Sequence, residues 1–264
     1  MLKNVLLKTL RDKRKSFLWW GIGVGFLLLY YNLAFLLMKD SLSSFNQLMD
    51  NEFIKGMMGG IYDMSTPSGW LSTELLPLLG PLVFIVFSVS FASSCLTGEE
   101  EEGTLNLLLT NPVSRVGVYS QKFLALMAGV IVLGLYFWLG NIVTTSLANM
   151  GLSFISLAEV SFSLVLLGAV FGSFTLALGG LTGSRGIGTA VASAVGLVSY
   201  LVNSMAEVIE GLKPFRPASV FHYYDGADVL QNGIDFGNVG IMLAATVVLF
   251  AVGMYGFEKR DIGT

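Results

Sequence analysis

The stretch Thr97–Lys122, TGEEEEGTLNLLLTNPVSRVGVYSQK, is a short polar segment between two long apolar blocks. The block before it, Leu75–Gly98, contains no charged residue, and neither does the block after it, Phe123–Ala158. Each block is long enough to cross a bilayer, which requires about 20 mainly apolar residues. The segment is therefore predicted to be a connector at one face of a membrane.

The composition of the whole chain agrees with a membrane location. Of the 264 residues, 54% are hydrophobic and only 12% are charged, and the mean hydropathy is +0.72. Soluble domains carry roughly 25% charged residues, so this chain has too few to cover a globular surface. Its solvent must be lipid. The single cysteine, Cys95, excludes an internal disulfide.

Uncharged stretches predict an all-α integral membrane protein with six transmembrane helices in one domain, residues 1–264. The predicted spans cover approximately residues 17–38, 75–97, 118–147, 160–181, 187–206 and 236–257. The first stretch is too long for the core of a signal peptide and lacks a small-residue cleavage site, so we expect it to remain as an anchor. An even number of spans places both termini on the same side.

The lysines and arginines predict which side that is. With both termini on one side, 11 of the 15 basic residues lie there, and the others are Lys39, Lys55, Lys213 and Arg216. The positive-inside rule makes the richer side cytoplasmic. The prediction is a multi-pass protein of the cell membrane with cytoplasmic termini. Residues 1–16 read as an amphipathic interfacial helix, although their charges could serve topology alone.

The connector carries an apolar pattern that a simple loop does not need. A helix is predicted from Gly103 to Thr110, before Asn111-Pro112 breaks the chain. Leu105, Leu108 and Leu109 share one side of that helix, which lies outside the membrane. We expect another protein to dock on this stripe.

The four consecutive glutamates, Glu99–Glu102, precede that helix. A metal or acid–base site there is not favoured, because consecutive residues point in different directions around a helix. The favoured interpretation is a solvated helix N-terminus, capped by Thr97 with Glu100 three residues later.

Motifs for catalysis are absent from the sequence. No lysine directly follows a glycine, which excludes a phosphate-binding loop and hence an ATPase activity in this chain. His222 is the single histidine, so histidine-based zinc sites and triads are excluded, and Cys95 is read as packing. The prediction is a chain that is not an enzyme and has no catalytic, cofactor or metal residues.

The spans themselves also carry signals. None has a charge near its middle, which argues against an ion-coupled pump and favours an amphipathic or hydrophobic cargo. Pro77 and Pro81 predict a distorted start of span two. Gly168 and Gly172 predict close helix packing in span four. The aromatic-rich segment from residue 207 to residue 235 is expected to fold back toward the membrane.

The connector resembles a segment of a known family. It contains Glu102-Gly103-Thr104-Leu105, then Leu108-Leu109, Pro112-Val113-Ser114-Arg115 and Lys122. This order is similar to the E-x-G-T-L-x-x-L-L-x-x-P-x-S-R segment in membrane subunits of ATP-binding-cassette exporters of the second class, the ABC-type-2 permeases. The basic N-terminus, the six spans and the ending Phe257-Glu258-Lys259-Arg260-Asp261 match as well.

The resemblance implies a permease dimer, with membrane lipid around it, that works with two separate cytosolic ATPase subunits, which hold the ATP and Mg²⁺. Nucleic acid is not an expected partner. The connector, residues 99–115, would be the coupling helix seated in a groove of the ATPase. The implied coupling residues are Glu101, Glu102, Gly103, Thr104, Leu105, Leu108, Leu109, Pro112, Ser114 and Arg115.

Two other functions were weighed. An intramembrane glutamate protease would need Glu and His within the spans, and Asn106 stands where its E-E-x-x-x-R pattern requires arginine. A membrane scaffold or sensor that recruits a cytosolic partner through the same helix stays open. The cargo, the direction of transport and the choice between a homodimer and a heterodimer also stay open at this point.

Overall fold

The computed structural model describes residues 5–49, 64–105, 113–206 and 209–260, without the side chains of residues 40 and 42–49. Within these ranges the regular structure is entirely helical. Six helices are long and apolar enough to cross a membrane, which confirms the predicted fold class. They alternate in direction, so they define two ends of the bundle. We call the end that carries Val5 and Arg260, the first and last described residues, the terminal side, and the other end the opposite side.

The helices that build the six spans run as follows. Span one is Arg14–Met49; span two is Gly80–Cys95, preceded by the short helix Pro67–Trp70 and the π-helix Leu71–Leu79; span three is Arg115–Leu147; span four is Phe154–Thr182; span five is Arg185–Met205; span six is Phe236–Lys259. An N-terminal helix, Val5–Asp12, precedes span one.

Most spans extend beyond their uncharged stretches because capping residues, and not charges, set where the helices begin. Ser153 caps span four by accepting hydrogen bonds from Ile155 N and Ser156 N, so the helix begins at Phe154, six residues before the predicted start. Glu159 therefore lies inside the helix. Ser114 caps span three by accepting from Gly117 N at 3.0 Å. Helix ends are thus fixed by local hydrogen bonds that hydropathy does not report.

Span four forms the centre of the bundle. It has the largest buried share of any candidate span, 61%, whereas spans five and six are each 22% buried. A Cβ at Gly168 would lie 2.9 Å from Ser88 Oγ, and one at Gly172 would lie 3.0 Å from the Leu126 side chain. Spans two and three can approach span four closely only because glycines stand there, as predicted.

Spans one and three are joined by buried amides and hydroxyls. The amide of Asn32 donates to Thr144 Oγ1 at 2.7 Å and to Asn141 Oδ1 at 3.4 Å. Asn141 and Thr144 also donate to backbone oxygens one turn earlier in their own helix. Asn32 is completely buried, and these partners bind its NH2 group in place of water, whereas its Oδ1 has no hydrogen-bond partner among the described residues. The contact fixes the register of the two helices.

The prolines predicted to distort span two mark a change of helix type. Pro77 lies within the π-helix Leu71–Leu79, and Pro81 lies in the first turn of the α-helix that follows. A proline lacks an N–H group and disrupts α-helical hydrogen bonding, so the chain leaves α geometry here. The buried face of the π-helix includes Leu71, Leu75 and Leu76.

The segment before span six folds back against the bundle, as expected. It contains a 3₁₀ helix, Glu210–Ala218, and two short α-helices, Val220–Tyr223 and Gly226–Asn232. The last of these contacts span four and the π-helix. Phe221 and Tyr224 are buried and form an edge-to-face aromatic pair. These aromatic side chains close the opposite side of the bundle.

Candidate functional site

The connector between spans two and three begins as a continuation of span two. After a break at Leu96, a short helix runs over Thr97–Glu101, and Gly103 ends it with a left-handed φ of 71°. Thr97 Oγ1 donates to Ser93 O, one turn earlier. The prediction that Thr97 caps a new helix is therefore wrong, because Thr97 lies within helical structure. Glu99 and Glu100 do lie in the first turn of this short helix, as predicted, but they bind cations of other helices.

The predicted helix over Gly103–Thr110 is only partly within the described residues. Gly103 itself is not helical, since its left-handed backbone forms the turn, and Thr104 and Leu105 are helical again. Leu108, Leu109 and Pro112 lie outside the described residues. Leu105 is completely buried and belongs to the hydrophobic core of the chain. Its predicted place on an exposed stripe is wrong, because the turn at Gly103 returns the chain to the core.

Glu99 binds a buried lysine of span three. Lys122 Nζ lies 2.5 Å from Glu99 Oε1, and the lysine side chain is 0% exposed while that of the glutamate is 16% exposed. A buried ammonium group is tolerated when a carboxylate pairs with it, and removal of one partner leaves an uncompensated charge. The ion pair therefore joins the end of span two to span three.

Glu100 binds the end of span six. Arg260 Nη2 lies 2.5 Å from Glu100 Oε2, and Arg260 Nη1 donates to Gly179 O at 2.9 Å. The guanidinium crosses the end of span four so closely that a Cβ at Gly183 would lie 2.3 Å from Arg260 Nη1. Gly183 has a left-handed φ of 69°, which favours glycine at this position.

Arg115, at the other end of the connector, also binds the end of span six. Its Nη1 donates to Arg260 O at 2.5 Å and to Glu258 O at 3.4 Å. Both carbonyls lie at the C-terminal end of span six, where backbone oxygens lack helical partners and the dipole favours a cation. Arg115 thus contacts the chain itself. We call Glu99, Glu100, Arg115, Lys122 and Arg260 the terminal-side cluster.

The rest of the connector is divided between exposed and anchoring residues. Glu101, Glu102, Gly103 and Ser114 are exposed. Thr104 is half-buried, and its hydroxyl donates to Glu99 O at 3.1 Å. The four exposed positions form what we call the exposed edge of the connector. The structure therefore separates the predicted coupling residues into an exposed group and a group bound within the chain.

The N-terminal helix joins the same side through span three. The backbone N–H groups of Val5 and Leu6 donate to Gln121 Oε1 at 2.8 and 3.1 Å, so a span-three side chain satisfies the first donors of that helix. Val5 and Thr9 are buried, whereas Arg11 is exposed. The apolar side of the helix therefore packs on the bundle.

The sequence analysis did not predict the ion pairs, although the spacing of residues in span three contains one indication of them. Val118, Tyr119, Lys122 and Ala125 recur at the spacing of one helical face, and all four are buried. A lysine in that pattern requires a counterion inside the protein. The identity of the counterion could not be read, since Glu99 is 23 positions away and the Glu100–Arg260 pair spans 160 positions.

The cluster has the character of a structural junction. Its members are carboxylates, ammonium and guanidinium groups in ion pairs, without a nucleophile in contact with a base. Among the described residues no group of three or more His, Cys, Asp or Glu could hold a metal ion. Cys95 is a buried free thiol, and His222 is half-buried against Tyr223. The arrangement can transmit force between helices.

Fold and site together define a polytopic α-helical membrane protein in which the connector between spans two and three is bound to the end of span six. The profile of a family described as ABC-2 family transporter protein matches residues 3–262, which is nearly the whole chain, and the chain belongs to this family. It is an ABC-2 type permease, the membrane subunit of an ABC transporter, and is not catalytic itself. The family implies an ATPase partner and a dimer. A search of curated proteins found no match.

Proposed function

We propose that this chain exports an amphipathic or hydrophobic cargo, driven by a cytosolic ATPase that docks on the connector. Two permease copies form a homodimer that binds two ATPase subunits, and these hold ATP and Mg²⁺. In this proposal the terminal side is cytoplasmic, because 11 of the 15 basic residues lie there if both termini share it.

The observation that carries the proposal is the way the connector is attached to the spans. Glu99 pairs with Lys122 of span three, and Glu100 pairs with Arg260 at the end of span six. Movement of the short helix Thr97–Glu101 would therefore displace two other elements besides span two, of which it is a continuation. A switch needs such an element that several parts of the fold share.

The connector residues differ in burial, and we assign the exposed ones to ATPase binding and the buried ones to transmission of the movement. Glu101, Glu102, Gly103 and Ser114 are exposed, and with Leu108, Leu109 and Pro112 they would contact the ATPase. Leu105, Thr104 and Arg115 bind within the chain and would pass the movement on. Burial of the apolar side chains of Leu108 and Leu109 against the ATPase would stabilise the docked state.

The proposed cargo class is supported by a groove between spans three, four and six. The groove has a volume of about 590 Å³, and its walls are apolar except for Ser161 and Thr246. The hydroxyls of these two residues donate to backbone oxygens of their own helices, Leu157 O and Met242 O. A groove without free polar groups favours hydrocarbon over a hydrated solute.

Labelling tests the orientation. Cys95 is the single cysteine, so Cys95→Ala gives a chain on which a new thiol can be placed at will. Glu101→Cys and Glu210→Cys place thiols at exposed positions on the two sides. In intact cells, a membrane-impermeant maleimide should label the Glu210→Cys chain, and the Glu101→Cys chain only after lysis. The reverse pattern would refute the orientation and, with it, docking of a cytosolic ATPase.

Two matched glycines test the coupling role. Gly103 and Gly151 have left-handed φ values of 71° and 64°, and a Cβ at either would meet nothing within 4 Å. Proline fixes φ near −65°, so Gly103→Pro and Gly151→Pro deform two similar turns, one on each side. We expect Gly103→Pro to insert normally and to abolish the effect of the permease on ATP hydrolysis in the purified complex.

The same preparation separates the alternatives. Gly151→Pro should retain coupled hydrolysis, because its turn lies on the opposite side from the proposed docking site. If Gly103→Pro couples as well as the unaltered chain, the assignment of the connector is refuted. If the ATPase binds but neither hydrolysis nor movement of a fluorescent short-chain phospholipid ever depends on the permease, the chain is a scaffold.

A further inference from the structure

A second cavity lies on the terminal side, between span one, span two and the start of span five. It has a volume of about 190 Å³. Aromatic rings of Trp20, Phe87 and Phe91 form its apolar wall. Its polar lining consists of the hydroxyls of Ser16, Ser90 and Ser94 and the cationic side chains of Lys13 and Arg185. The terminal-side cluster contributes no residue to it.

The two cations of this cavity differ from Lys122 and Arg260 in having no carboxylate partner among the described residues. Lys122 and Arg260 each pair with a glutamate, whereas neither Lys13 nor Arg185 forms an ion pair with any described residue. Arg185 is positioned by a hydrogen bond from its Nε to Ser93 Oγ at 3.3 Å. Two cations from separate elements that converge on one cavity, beside three hydroxyls, form a site for an anion.

The position of the cavity indicates the source of that anion. Lys13 directly precedes span one, and Arg185 is the first residue of span five, so both mark the level at which the spans leave the membrane. Trp20 lies less than two turns deeper, at a depth where tryptophan favours the interface. An anionic group at the mouth and an apolar chain along the aromatic wall are the two parts of a phospholipid.

We propose that this cavity binds the phosphate of an anionic membrane phospholipid between Lys13 and Arg185. The hydroxyls of Ser90 and Ser94 line the space beneath the phosphate, and the acyl chain follows Trp20 and Phe87 into the bilayer. This assignment depends on the membrane location of the six spans and not on the ATPase partner. Failure of one proposal therefore leaves the other standing.

The test measures lipid binding to the purified full chain in neutral detergent. Short-chain phosphatidylglycerol is titrated and followed by native mass spectrometry, with phosphatidylcholine of the same chain length and glycerol phosphate as comparisons. The variant Lys13→Gln/Arg185→Gln removes both cations of the cavity. The control Arg14→Gln/Lys15→Gln removes the same charge from exposed neighbours that do not line it.

We expect the cavity variant to bind phosphatidylglycerol at least about tenfold more weakly, and the control to stay within about twofold of the unaltered chain. Phosphatidylcholine and glycerol phosphate should bind weakly to all three proteins. Ser90→Leu fills the cavity without changing any charge, at a position that is exposed within the chain. It should also weaken binding about tenfold.

Several results would overturn the assignment. An equal loss in the control would mean that diffuse surface charge, and not the cavity, attracts the lipid. Binding of glycerol phosphate as strong as that of the lipid would identify a soluble phosphate ligand. A shift from dimer to monomer in the cavity variant, with unchanged lipid binding, would assign the two cations to a second copy of this chain. Normal binding by Ser90→Leu would place the lipid elsewhere.

Discussion

The two ends of the helical bundle are held together by different kinds of polar contact. On the terminal side the contacts are ion pairs, Glu99 with Lys122 and Glu100 with Arg260. On the opposite side most of the described side-chain contacts between elements are neutral and aromatic, although Arg216 Nε donates to Asn203 Oδ1 at 3.2 Å. Tyr31 Oη donates to Trp70 O at 2.8 Å, and Trp70 Nε1 donates to Tyr31 O at 3.2 Å.

The opposite side also buries a neutral polar group, the hydroxyl of Tyr224, in aromatic surroundings. Tyr224 Oη donates to Leu76 O at 2.8 Å, a carbonyl of the π-helix. Burial, and then the negative charge of Asp225, raises the pKa of the Tyr224 phenol well above its ordinary value, so it remains a neutral donor. On the terminal side the Glu100–Arg260 pair can exchange partners through water, whereas the opposite side is fixed mainly by shape and apolar contact.

This difference agrees with the proposed direction in which movement passes through the molecule. An element that is displaced repeatedly needs contacts that re-form easily. The Glu100–Arg260 pair meets that need, because its side chains are 20% and 16% exposed and water can solvate the separated charges. The Glu99–Lys122 pair is more deeply buried and keeps the end of span two attached to span three. The opposite side of the bundle, which must stay closed to solutes, needs close side-chain packing, because a packed interior keeps a single arrangement. The following substitutions test the comparison, beginning with the largest expected effect.

Lys122→Met should strongly destabilise the fold at the terminal side. It leaves Glu99 without its partner at a site that is 84% shielded from solvent, and loss of one member of a buried pair costs about 3 kcal/mol. The melting temperature of the purified protein in nanodiscs measures this loss. The double variant Glu99→Gln/Lys122→Met should regain most of the stability, because no charge then remains unpaired.

The control for that measurement is Lys15→Met, which removes an exposed lysine from the same side. It should change the melting temperature little, since exposed charges contribute less than about 1 kcal/mol. A double variant no more stable than Lys122→Met would contradict the pairing. So would equal effects of Lys15→Met and Lys122→Met.

Gly253→Ala should separate the helices on which the terminal-side cluster rests. A Cβ at Gly253 would lie 2.0 Å from Tyr119 Oη and 2.6 Å from Ala177 Cα, so spans three, four and six could no longer meet there. Overpacking of this kind costs about 2 kcal/mol. Thermal unfolding should show the loss, and the ion pair between Glu100 and Arg260 should loosen with it.

The matched control lies in the same helix. A Cβ at Gly240 would meet nothing within 4 Å, so Gly240→Ala changes helix propensity alone. It should leave stability unchanged or raise it by up to about 1 kcal/mol. Similar destabilisation by both substitutions would show that span six is sensitive to any change, and that the close contact at Gly253 has no special role.

The sequence could predict the parts of this molecule that depend on local composition. The length of the uncharged stretches predicted the six spans. The prolines predicted the distortion at the start of span two, because a missing N–H group disrupts hydrogen bonding at its own position in the chain. The fold-back of the aromatic segment before span six was also predicted from its content of Phe and Tyr.

The candidate site was less predictable because it depends on tertiary pairing. Glu99 and Glu100 looked like a solvated helix start, and only the fold shows that two distant cations reach them. Leu105 looked like a docking residue, since its spacing fits an exposed stripe as well as a core contact. The left-handed turn at Gly103 decided between the two, and the sequence around it does not specify where that turn directs the chain.

Tyr224→Phe should weaken the opposite side by the smallest amount. It leaves Leu76 O without its donor, and a lost neutral hydrogen bond of this kind costs about 1 kcal/mol. Tyr223→Phe is the control: its hydroxyl donates to Pro217 O at an exposed position where water can replace it, so the loss should be a few tenths of a kcal/mol at most.

Alkaline pH separates the two tyrosines further. Because the folded-state pKa of Tyr224 is raised, the protonated phenol contributes stability that is fully present below the ordinary phenol pKa of about 10 and is lost as the pH rises above it. Tyr224→Phe should remove this part of the alkaline destabilisation, whereas Tyr223→Phe should retain it. If both variants and the unaltered protein lose stability in parallel above pH about 10, the hydroxyl of Tyr224 is not the buried neutral contact that distinguishes the opposite side from the charged one.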